Sequence, residues 1–255
     1  MRFASLGSGS QGNSLVVEAG GTRLLLDCGF GLAATVARLA RLGLVPEDIS
    51  AIVVTHEHDD HIGGVVRLAR RHNIPVWLTP GTLAGFEALF ADVADVRMIR
   101  NYEAFAVDDL QVQPFPVPHD AREPAQFVFG DGARRLGVLT DVGCSTRHIE
   151  AVLSGCDALV LECNHDAEML RTGSYPKKLR ERIAGRFGHL DNAAAAELLG
   201  RLDKRRLKHL VAAHLSQENN RPGLARAALS AVMQCEPDWI AIADQDEGLA
   251  WRQIS

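Results

Sequence analysis

Short apolar runs, each bounded by glycine, proline or polar residues, recur along the whole chain. Runs of this kind are typical of buried strands, whereas a helix needs a longer pattern with a period of about 3.6 residues. The predicted strands are 2–6, 15–19, 22–26, 51–54, 75–78, 96–99, 103–107, 110–115, 127–129, 135–140, 158–161, 207–213, 239–243 and 249–251. The predicted helices are 35–42, 79–90, 177–183, 191–202 and 222–233, and another begins at 62. Strands followed by helices in both halves indicate an α/β fold.

Local turn and capping residues agree with this pattern. Gly20-Gly21 and Asp131-Gly132 predict hairpin turns, and Thr79 is placed to cap the helix that Pro80 opens. The segment 7–14 (GSGSQGNS) is rich in residues that tolerate positive φ. It is either a cradle of backbone amides near a functional site or only a connection between two strands.

Acidic residues and histidines follow the predicted strands repeatedly. The residues in question are Asp27, His56, His119, Asp141, Glu162 and His214. Chance would scatter such groups, whereas strand ends on one rim of a sheet system converge in space. We therefore expect them to form one assembled site.

The densest group of titratable residues is the segment 55–61 (THEHDDH). It follows the predicted strand 51–54 and has His-x-His-x-Asp-His spacing, so its side chains can converge on one point from a strand-to-helix loop. Crowding of this kind costs free energy unless something binds the groups. Imidazole and carboxylate suit zinc, manganese or iron, so the segment predicts a metal site.

Composition and charge narrow the class of protein. The chain has 255 residues, of which 47% are hydrophobic and 23% charged, with a net charge of −5. These values are ordinary for a globular protein. Because the chain has no long apolar run we expect no membrane span, and because it has no low-complexity linker we expect one domain over 1–255. A cytoplasmic location is the default expectation. Five cysteines without a Cys-x-x-Cys pair argue against a disulfide framework or a cysteine-ligated zinc.

A set of seven residues resembles the metal ligands of the metallo-β-lactamase superfamily, in the same order along the chain. The set is His56, His58, Asp60, His61, His119, Asp141 and His214. The resemblance covers nearly the whole chain and implies a four-layer αββα sandwich with the site along one rim, without a β-CASP insertion. A closer resemblance, carried by 7–14, 162–166, 188–192 and 214–220, is to the YycJ/WalJ-like subgroup; Asp191 stands where that subgroup often has serine.

The resemblance implies a site for two divalent ions, Zn²⁺ or Mn²⁺, with iron also compatible. One ion would be bound by His56, His58 and His119; the other by Asp60, His61 and His214; and Asp141 would bridge them. Because imidazole must be neutral to bind, metal uptake is expected to weaken as the pH falls.

Further roles follow from the same resemblance. Asp60 and Asp141 are expected to be catalytic, together with Glu162, which would orient a site histidine, and His189, which would contact the scissile phosphate or the leaving group. Asp27 and Asp59 are candidates for orienting a ligand imidazole.

His165 and Asn192 join His189 as predicted substrate contacts. For His165 the residues alone leave two possibilities open: it lines the site, or it is a loop histidine held by Asp166.

The implied activity is that of a metal-dependent hydrolase. The subgroup is associated with 5′-to-3′ exonuclease activity on DNA and a link to mismatch repair, which predicts a phosphodiesterase using a metal-bridged hydroxide on single-stranded or end-containing DNA.

The segment 167–210 carries eleven Lys or Arg against five acids and flanks His189, so it is either a groove for phosphates or a solvated helix surface. A small-molecule hydrolase of a lactone, thioester or cyclic phosphodiester, and a non-catalytic binding protein, are the alternatives, and the oligomeric state stays open.

Overall fold

The computed structural model describes residues 1–100 and 102–255, and its strands and helices follow the predicted order closely. The strands are β1 (Arg2–Gly7), β2 (Ser14–Ala19), β3 (Thr22–Leu26), β4 (Ala51–Val53), β5 (Val76–Leu78), β6 (Val96–Met98), β7 (Phe105–Val107), β8 (Leu110–Pro116), β9 (Ala125–Gly130), β10 (Arg135–Leu139), β11 (Ala158–Glu162), β12 (His209–Ala213), β13 (Ala241–Ile242) and β14 (Leu249–Gln253). The helices are α1 (Leu32–Arg41), α2 (Asp59–Ile62), α3 (Val65–His72), α4 (Pro80–Leu83), α5 (Glu87–Phe90), α6 (Arg147–Leu153), α7 (Ala167–Thr172), α8 (Lys177–Ile183), α9 (Asn192–Arg201) and α10 (Pro222–Met233). Single 3₁₀ turns lie at Pro46–Asp48 and Pro237–Trp239.

The strands form two mixed sheets. The order of the first sheet is β14-β1-β2-β3-β4-β5-β6, and the order of the second is β13-β12-β11-β10-β9-β8-β7. In the first sheet β3 to β6 are parallel, and in the second β10 to β13 are parallel, with the other pairings antiparallel. Each sheet therefore has a rim at which several parallel strands end together.

Alternation of side chains along the central strands explains the layering. In β3, Leu24 and Leu26 join the apolar cluster between the two sheets, whereas Leu25 faces the cluster beneath α1 and α3. In β11, Val160 faces the other sheet and Leu161 faces α6, α9 and α10. Since side chains alternate between the faces of a strand, each sheet buries apolar residues on both faces. The result is the predicted four-layer αββα sandwich.

Two helical predictions need correction. The continuous helix predicted over 79–90 is instead two short helices, α4 and α5, because Gly85 between them adopts φ +108°, which no helix tolerates. Thr79 does cap α4, accepting a hydrogen bond from the amide of Thr82. Part of the predicted metal loop is also helical, since Asp60 and His61 lie on the single turn of α2. None of the helices in the described residues is both long and apolar enough to cross a bilayer.

Candidate metal centre

Three of the predicted site residues lie in a left-handed backbone conformation at strand ends. Asp27 follows β3 with φ 59°, Asp141 follows β10 with φ 52°, and His214 follows β12 with φ 55°. Non-glycine residues occupy this region at a cost of about 1–3 kcal/mol and persist there only where surrounding contacts fix them. These turns bring acidic and imidazole groups from both sheets to one rim.

The first group of ligands consists of three histidines. The rings of His56, His58 and His119 have centroid distances of 4.6, 4.9 and 5.0 Å, and one nitrogen from each lies within 4.8 Å of the others. Nε2 of His119 is 3.2 Å from Nδ1 of His58. Three converging imidazoles on β4, α2 and β8 connections match the ligand set predicted for the first ion.

The second group combines a carboxylate with two histidines. Oδ2 of Asp60 lies 3.4 Å from Nε2 of His61 and 3.4 Å from Nε2 of His214. Asp141 lies between the two groups: its Oδ2 is 3.1 Å from Nε2 of His61, and its Oδ1 is 4.0 Å from Nε2 of His119. The structure thus brings all seven predicted ligands together, in the two predicted groups with Asp141 between them.

Hydrogen bonds to the other ring nitrogen fix the orientation of the buried imidazoles. Nδ1 of His61 is 2.8 Å from Oδ2 of Asp27, Nδ1 of His56 is 2.9 Å from the hydroxyl of Thr55, and Nδ1 of His119 is 3.2 Å from the carbonyl of Gly188. Assigned from this network, each Nδ1–H donates and each Nε2 is directed into the site. Asp27 therefore orients an imidazole as predicted.

The donor set fits a divalent metal. Among the described residues, Nε2 of His56 and Oδ2 of Asp141 are buried and make no hydrogen bond. Leaving such atoms without a partner costs about 1–3 kcal/mol each, and cation coordination removes that cost. Imidazole and carboxylate without thiolate are compatible with zinc, manganese or iron.

Electrostatics of the protein alone show what a metal would replace. Burial lowers the pKa of His56 and opposes protonation of His214, but Asp141, Asp60 and Glu162 raise the pKa of His214 to about 10. The pKa of His61 is also raised, because Asp141 and Asp27 outweigh burial. Although burial favours a neutral carboxyl, His214 and His61 hold the pKa of Asp141 well below its usual range. Without a metal, protons on His61 and His214 therefore offset the negative charge of the carboxylates, and a bound cation would replace those protons.

Glu162 connects the metal ligands to His189. Its buried carboxylate accepts hydrogen bonds from the amides of Asp141, Val142 and Leu190, and Oε1 lies 2.9 Å from Nδ1 of His189 and 3.1 Å from Nδ1 of His214. Despite burial, these histidines lower its pKa to about 2. Burial opposes charge on His189, but Glu162 and Asp141 raise the pKa of His189.

Four of the ligands line an open cavity of about 380 Å³: His58, Asp60, Asp141 and His214. The other lining residues include Leu179, Arg182 and Ile183 of α8, Asp59 of α2, and the loop residues Ser10, Asp120 and Tyr175. Nε of Arg182 lies 2.6 Å from Oδ2 of Asp120, which directly follows the ligand His119. Sequence reasoning missed Asp120 and Tyr175; adjacency to His119 is the signal for the former, and nothing marks the latter.

The glycine-rich segment 7–14 both connects β1 to β2 and supports the site. Nδ2 of Asn13 is 3.2 Å from Oδ2 of Asp60 and 3.2 Å from Nε2 of His61, and the hydroxyl of Ser8 accepts a hydrogen bond from the amide of His214. The close packing requires glycine nearby: a Cβ on Gly29 would lie 1.8 Å from the carbonyl oxygen of Asp60. The segment is therefore a connection between two strands that also supports the site, but its contacts to the ligands come mainly from side chains and not from a cradle of backbone amides.

Three predicted residues lie away from the ligands or make other contacts. Asn192 is buried, and its side-chain amide exchanges two hydrogen bonds with that of Asn220, at 2.9 and 3.0 Å. It does not line the metal cavity, so its position gives no support to a substrate contact. Asp59 lines the cavity but is exposed and makes no hydrogen bond to an imidazole among the described residues.

His165 also lies outside the metal cavity. It is buried in the wall of a separate cavity, on the other side of α8. The carboxylate of Asp166 caps α7 by accepting a hydrogen bond from the amide of Met169, and among the described residues it makes no hydrogen bond to His165.

Comparisons with known proteins agree with this geometry. A sequence model of the Beta-lactamase superfamily domain matches residues 22–214. The chain is 38% identical over 236 residues to Exodeoxyribonuclease YycJ of Bacillus anthracis, covering 92% of this chain and 89% of that protein. It is 33% identical to Exodeoxyribonuclease WalJ of Streptococcus pneumoniae, covering 89% and 86%.

A solved structure shows the same fold. Zn²⁺-bound PqqB from Methylobacterium extorquens superposes with a TM-score of 0.75 at 21% identity, covering 99% of this chain and all of that one. At this identity the likeness concerns the fold alone. Together with the sequence matches, it shows that the chain belongs to the metallo-β-lactamase superfamily, in its YycJ-like group, and is an enzyme, a metal-dependent hydrolase.

Proposed function

We propose that the enzyme is a phosphodiesterase that degrades DNA from the 5′ end, using two divalent metal ions. The observation that carries this proposal is the pair formed by His189 and Glu162, which stands directly beside the seven clustered ligands. An imidazole at this position offers a proton to a leaving oxygen, which a phosphodiester requires. Similarity to proteins named exodeoxyribonuclease, over most of both chains, supports the choice of DNA.

The residues that would hold the two ions are those of the two groups. His56, His58 and His119 would hold one, Asp60, His61 and His214 the other, and Asp141 both. Such a pair supplies an activated water near neutral pH and neutralises charge on the phosphoryl oxygens. Zinc, manganese and iron all suit these donors.

His189 is the proposed proton donor. Its Nδ1–H donates to Oε1 of Glu162 at 2.9 Å, which leaves Nε2 for the substrate. The side chain of His189 is 21% exposed, whereas that of Glu162 is fully buried, so only the imidazole is accessible from the cavity. Although burial opposes charge on His189, Glu162 and Asp141 raise its pKa, which favours the protonated ring that passes a proton from Nε2 to the departing deoxyribose oxygen.

A cation beside the cavity fits a polyanionic strand. Arg182 of α8 lines the cavity wall, and its side chain is 61% exposed. Its guanidinium is therefore accessible to solvent and to phosphates. The open cavity admits a strand end or an unpaired strand more readily than the side of a duplex, which favours single-stranded or end-containing DNA.

The test is degradation of labelled DNA by metal-loaded protein. Oligonucleotides labelled at the 5′ or 3′ end, single- or double-stranded, are incubated with protein loaded with zinc or manganese. Early release of a labelled mononucleotide from the 5′ end is expected, with the 3′-labelled strand shortening in steps. Stepwise loss from the 3′ end would reverse the polarity, and intact DNA in all reactions would reject the nuclease assignment.

A small-molecule hydrolase is the second candidate, because a cavity of about 380 Å³ is large enough to hold a single small ligand. The same preparation is therefore tested on a lactone, a thioester and a cyclic nucleotide. Hydrolysis of one of these by protein that leaves DNA intact would favour this candidate.

A further inference from the structure

A second cavity, of about 330 Å³, lies on the opposite side of α8 from the metal cavity. Leu179, Arg182 and Ile183 of α8 line the metal cavity, whereas Lys177, Arg180 and Glu181 line the second one. One helix, without a buried residue of its own, therefore separates two openings. Nothing in the proposed cleavage chemistry uses the second.

The mouth of the second cavity is cationic. Arg171 of α7 and Lys177 and Arg180 of α8 surround it. The ion pairs that two of these cations make are exposed. Nζ of Lys177 lies 3.7 Å from Oε1 of Glu181, and Arg171 pairs with Glu168; all four side chains are exposed. Exposed pairs of this kind contribute only about 0–1 kcal/mol, so an anion can replace the acidic partners at little cost.

Among the acids in the described part of the chain, only Glu181 and Asp191 line this cavity. Asp191 caps α9: its carboxylate accepts a hydrogen bond of 2.7 Å from the amide of Ala194. The three cations therefore outnumber the acids, which favours an anionic group at the mouth.

The inner end of the cavity offers a different chemistry. His165 is 2% exposed, and its Nδ1 lies 3.3 Å from the side-chain oxygen of Asn164, to which Nδ1–H donates. Nε2 has no hydrogen-bond partner among the described residues, so an acceptor lone pair stands at the cavity floor. Ala167, Leu170 and Ala184 add apolar surface to the lining of the cavity.

A ligand that satisfies both ends carries an anion, a flat apolar body and a hydrogen-bond donor at the far edge. A nucleotide has these parts: the phosphate meets Arg171, Lys177 and Arg180, the base lies against the apolar surface, and an exocyclic amine or ring N–H donates to His165. The volume suits one nucleotide and no more. We propose that the second cavity binds a single nucleoside monophosphate unit, supplied either by the DNA strand entering the metal cavity or by a free mononucleotide. The strand source rests on the proposed function; the free-nucleotide source does not.

Two variants test the site without touching the metal ligands. Lys177→Glu reverses a charge at the mouth, and Ala184→Trp fills the cavity from an exposed position. Lys178→Glu is the matched control, since it makes the same charge change on the same helix at a residue that lines neither cavity. Hydrolysis of bis(p-nitrophenyl) phosphate by the metal-loaded variants, expected to equal that of the wild type, confirms that the metal cavity is intact.

Binding of dAMP is measured by calorimetry, and KM is measured on a single-stranded oligonucleotide. Lys177→Glu loses a charge-assisted phosphate contact and Ala184→Trp loses cavity volume, so each is expected to weaken dAMP binding about tenfold or more, whereas Lys178→Glu is not. If the oligonucleotide KM rises in parallel, the strand is the source; if only dAMP binding changes, or if the enzyme cleaves no DNA, the free nucleotide is. Unaltered dAMP binding in both variants, or absence of dAMP binding in the wild type together with an unchanged oligonucleotide KM, would overturn the proposal.

Discussion

Oδ2 of Asp27 lies 2.8 Å from Nδ1 of His61, and both side chains are buried. The carboxylate of Asp27 also accepts hydrogen bonds from the amide and the hydroxyl of Thr55, at 2.8 and 2.9 Å, and these bonds fix its orientation toward the imidazole. A carboxylate in this position fixes both the tautomer and the rotation of a metal-binding histidine.

Asp27→Asn is expected to lower metal affinity about 10- to 100-fold, because the amide holds the imidazole less firmly and makes it a weaker base. Asparagine tolerates the φ of 59° at this position, so the fold should persist. Competition with a chelator measures the affinity. Asp59→Asn, the same change at an exposed carboxylate on α2, is the control. Equal affinities for wild type and Asp27→Asn would mean that the contact does not support the metal.

His189→Ala is expected to retain its metal while cleavage of DNA falls at least about 100-fold, as for removal of a general acid. The loss should be much smaller with thymidine 5′-(p-nitrophenyl phosphate), because p-nitrophenolate departs without a proton. The metal content of His189→Ala and its rates on both substrates are measured and compared with those of the wild type. His148→Ala, an exposed histidine at the start of α6, serves as control. Equal losses on the two substrates, or loss of metal, would assign His189 another role.

The sequence predicted the positions of residues at strand ends better than those of residues at the starts of α7 and α9. The seven ligands and Glu162 lie at the end of an apolar strand or shortly after one, Asp60 and His61 on the single turn of α2, and such strand ends must meet at one rim whatever the details of packing. Asn192 and His165 precede or begin helices, where the direction of a side chain depends on neighbouring segments. Asn192 is turned inward by Asn220, a partner 28 residues away.

The same limit applies to groups that only the tertiary structure brings together. Asp120 and Arg182 form an ion pair across 62 residues, and no local pattern relates them. Trp239, predicted to begin a strand over 239–243, instead ends a 3₁₀ turn at the surface and is 40% exposed, and β13 covers only Ala241–Ile242.

Arg182→Ala is expected to raise the KM for single-stranded DNA and to reduce the slope of log affinity against log salt by about one. Arg182 is 61% exposed, and its pairing with Asp120 leaves the guanidinium at the cavity wall, within reach of a phosphate. Titration of DNA binding at several salt concentrations measures the slope. Arg205→Ala, an exposed arginine paired with Asp203 and distant in the fold from the cavity residues, is expected to change neither quantity. An unchanged slope for Arg182→Ala would exclude a phosphate contact.

The raised pKa of His214 links folding, pH and metal. Its pKa is about 10 in the folded protein without metal and 6.5 in the unfolded chain. Because the folded state binds this proton more tightly, the contribution to stability is fully present below about pH 6.5 and is lost as the pH rises toward about 10. A metal ion must displace the same proton, so the apparent metal affinity rises across the same range.

Metal-free protein is therefore expected to lose thermal stability between about pH 6.5 and about pH 10, whereas the metal-loaded protein keeps it. Calorimetric unfolding with and without chelator gives both curves. Other titratable groups change the stability with pH in every variant, so the wild type is compared with His214→Gln. In that variant, without metal, the unfolding midpoint should fall less steeply over this pH range. A metal-free wild type whose midpoint follows that of His214→Gln at every pH would show that the carboxylates around His214 do not hold its proton.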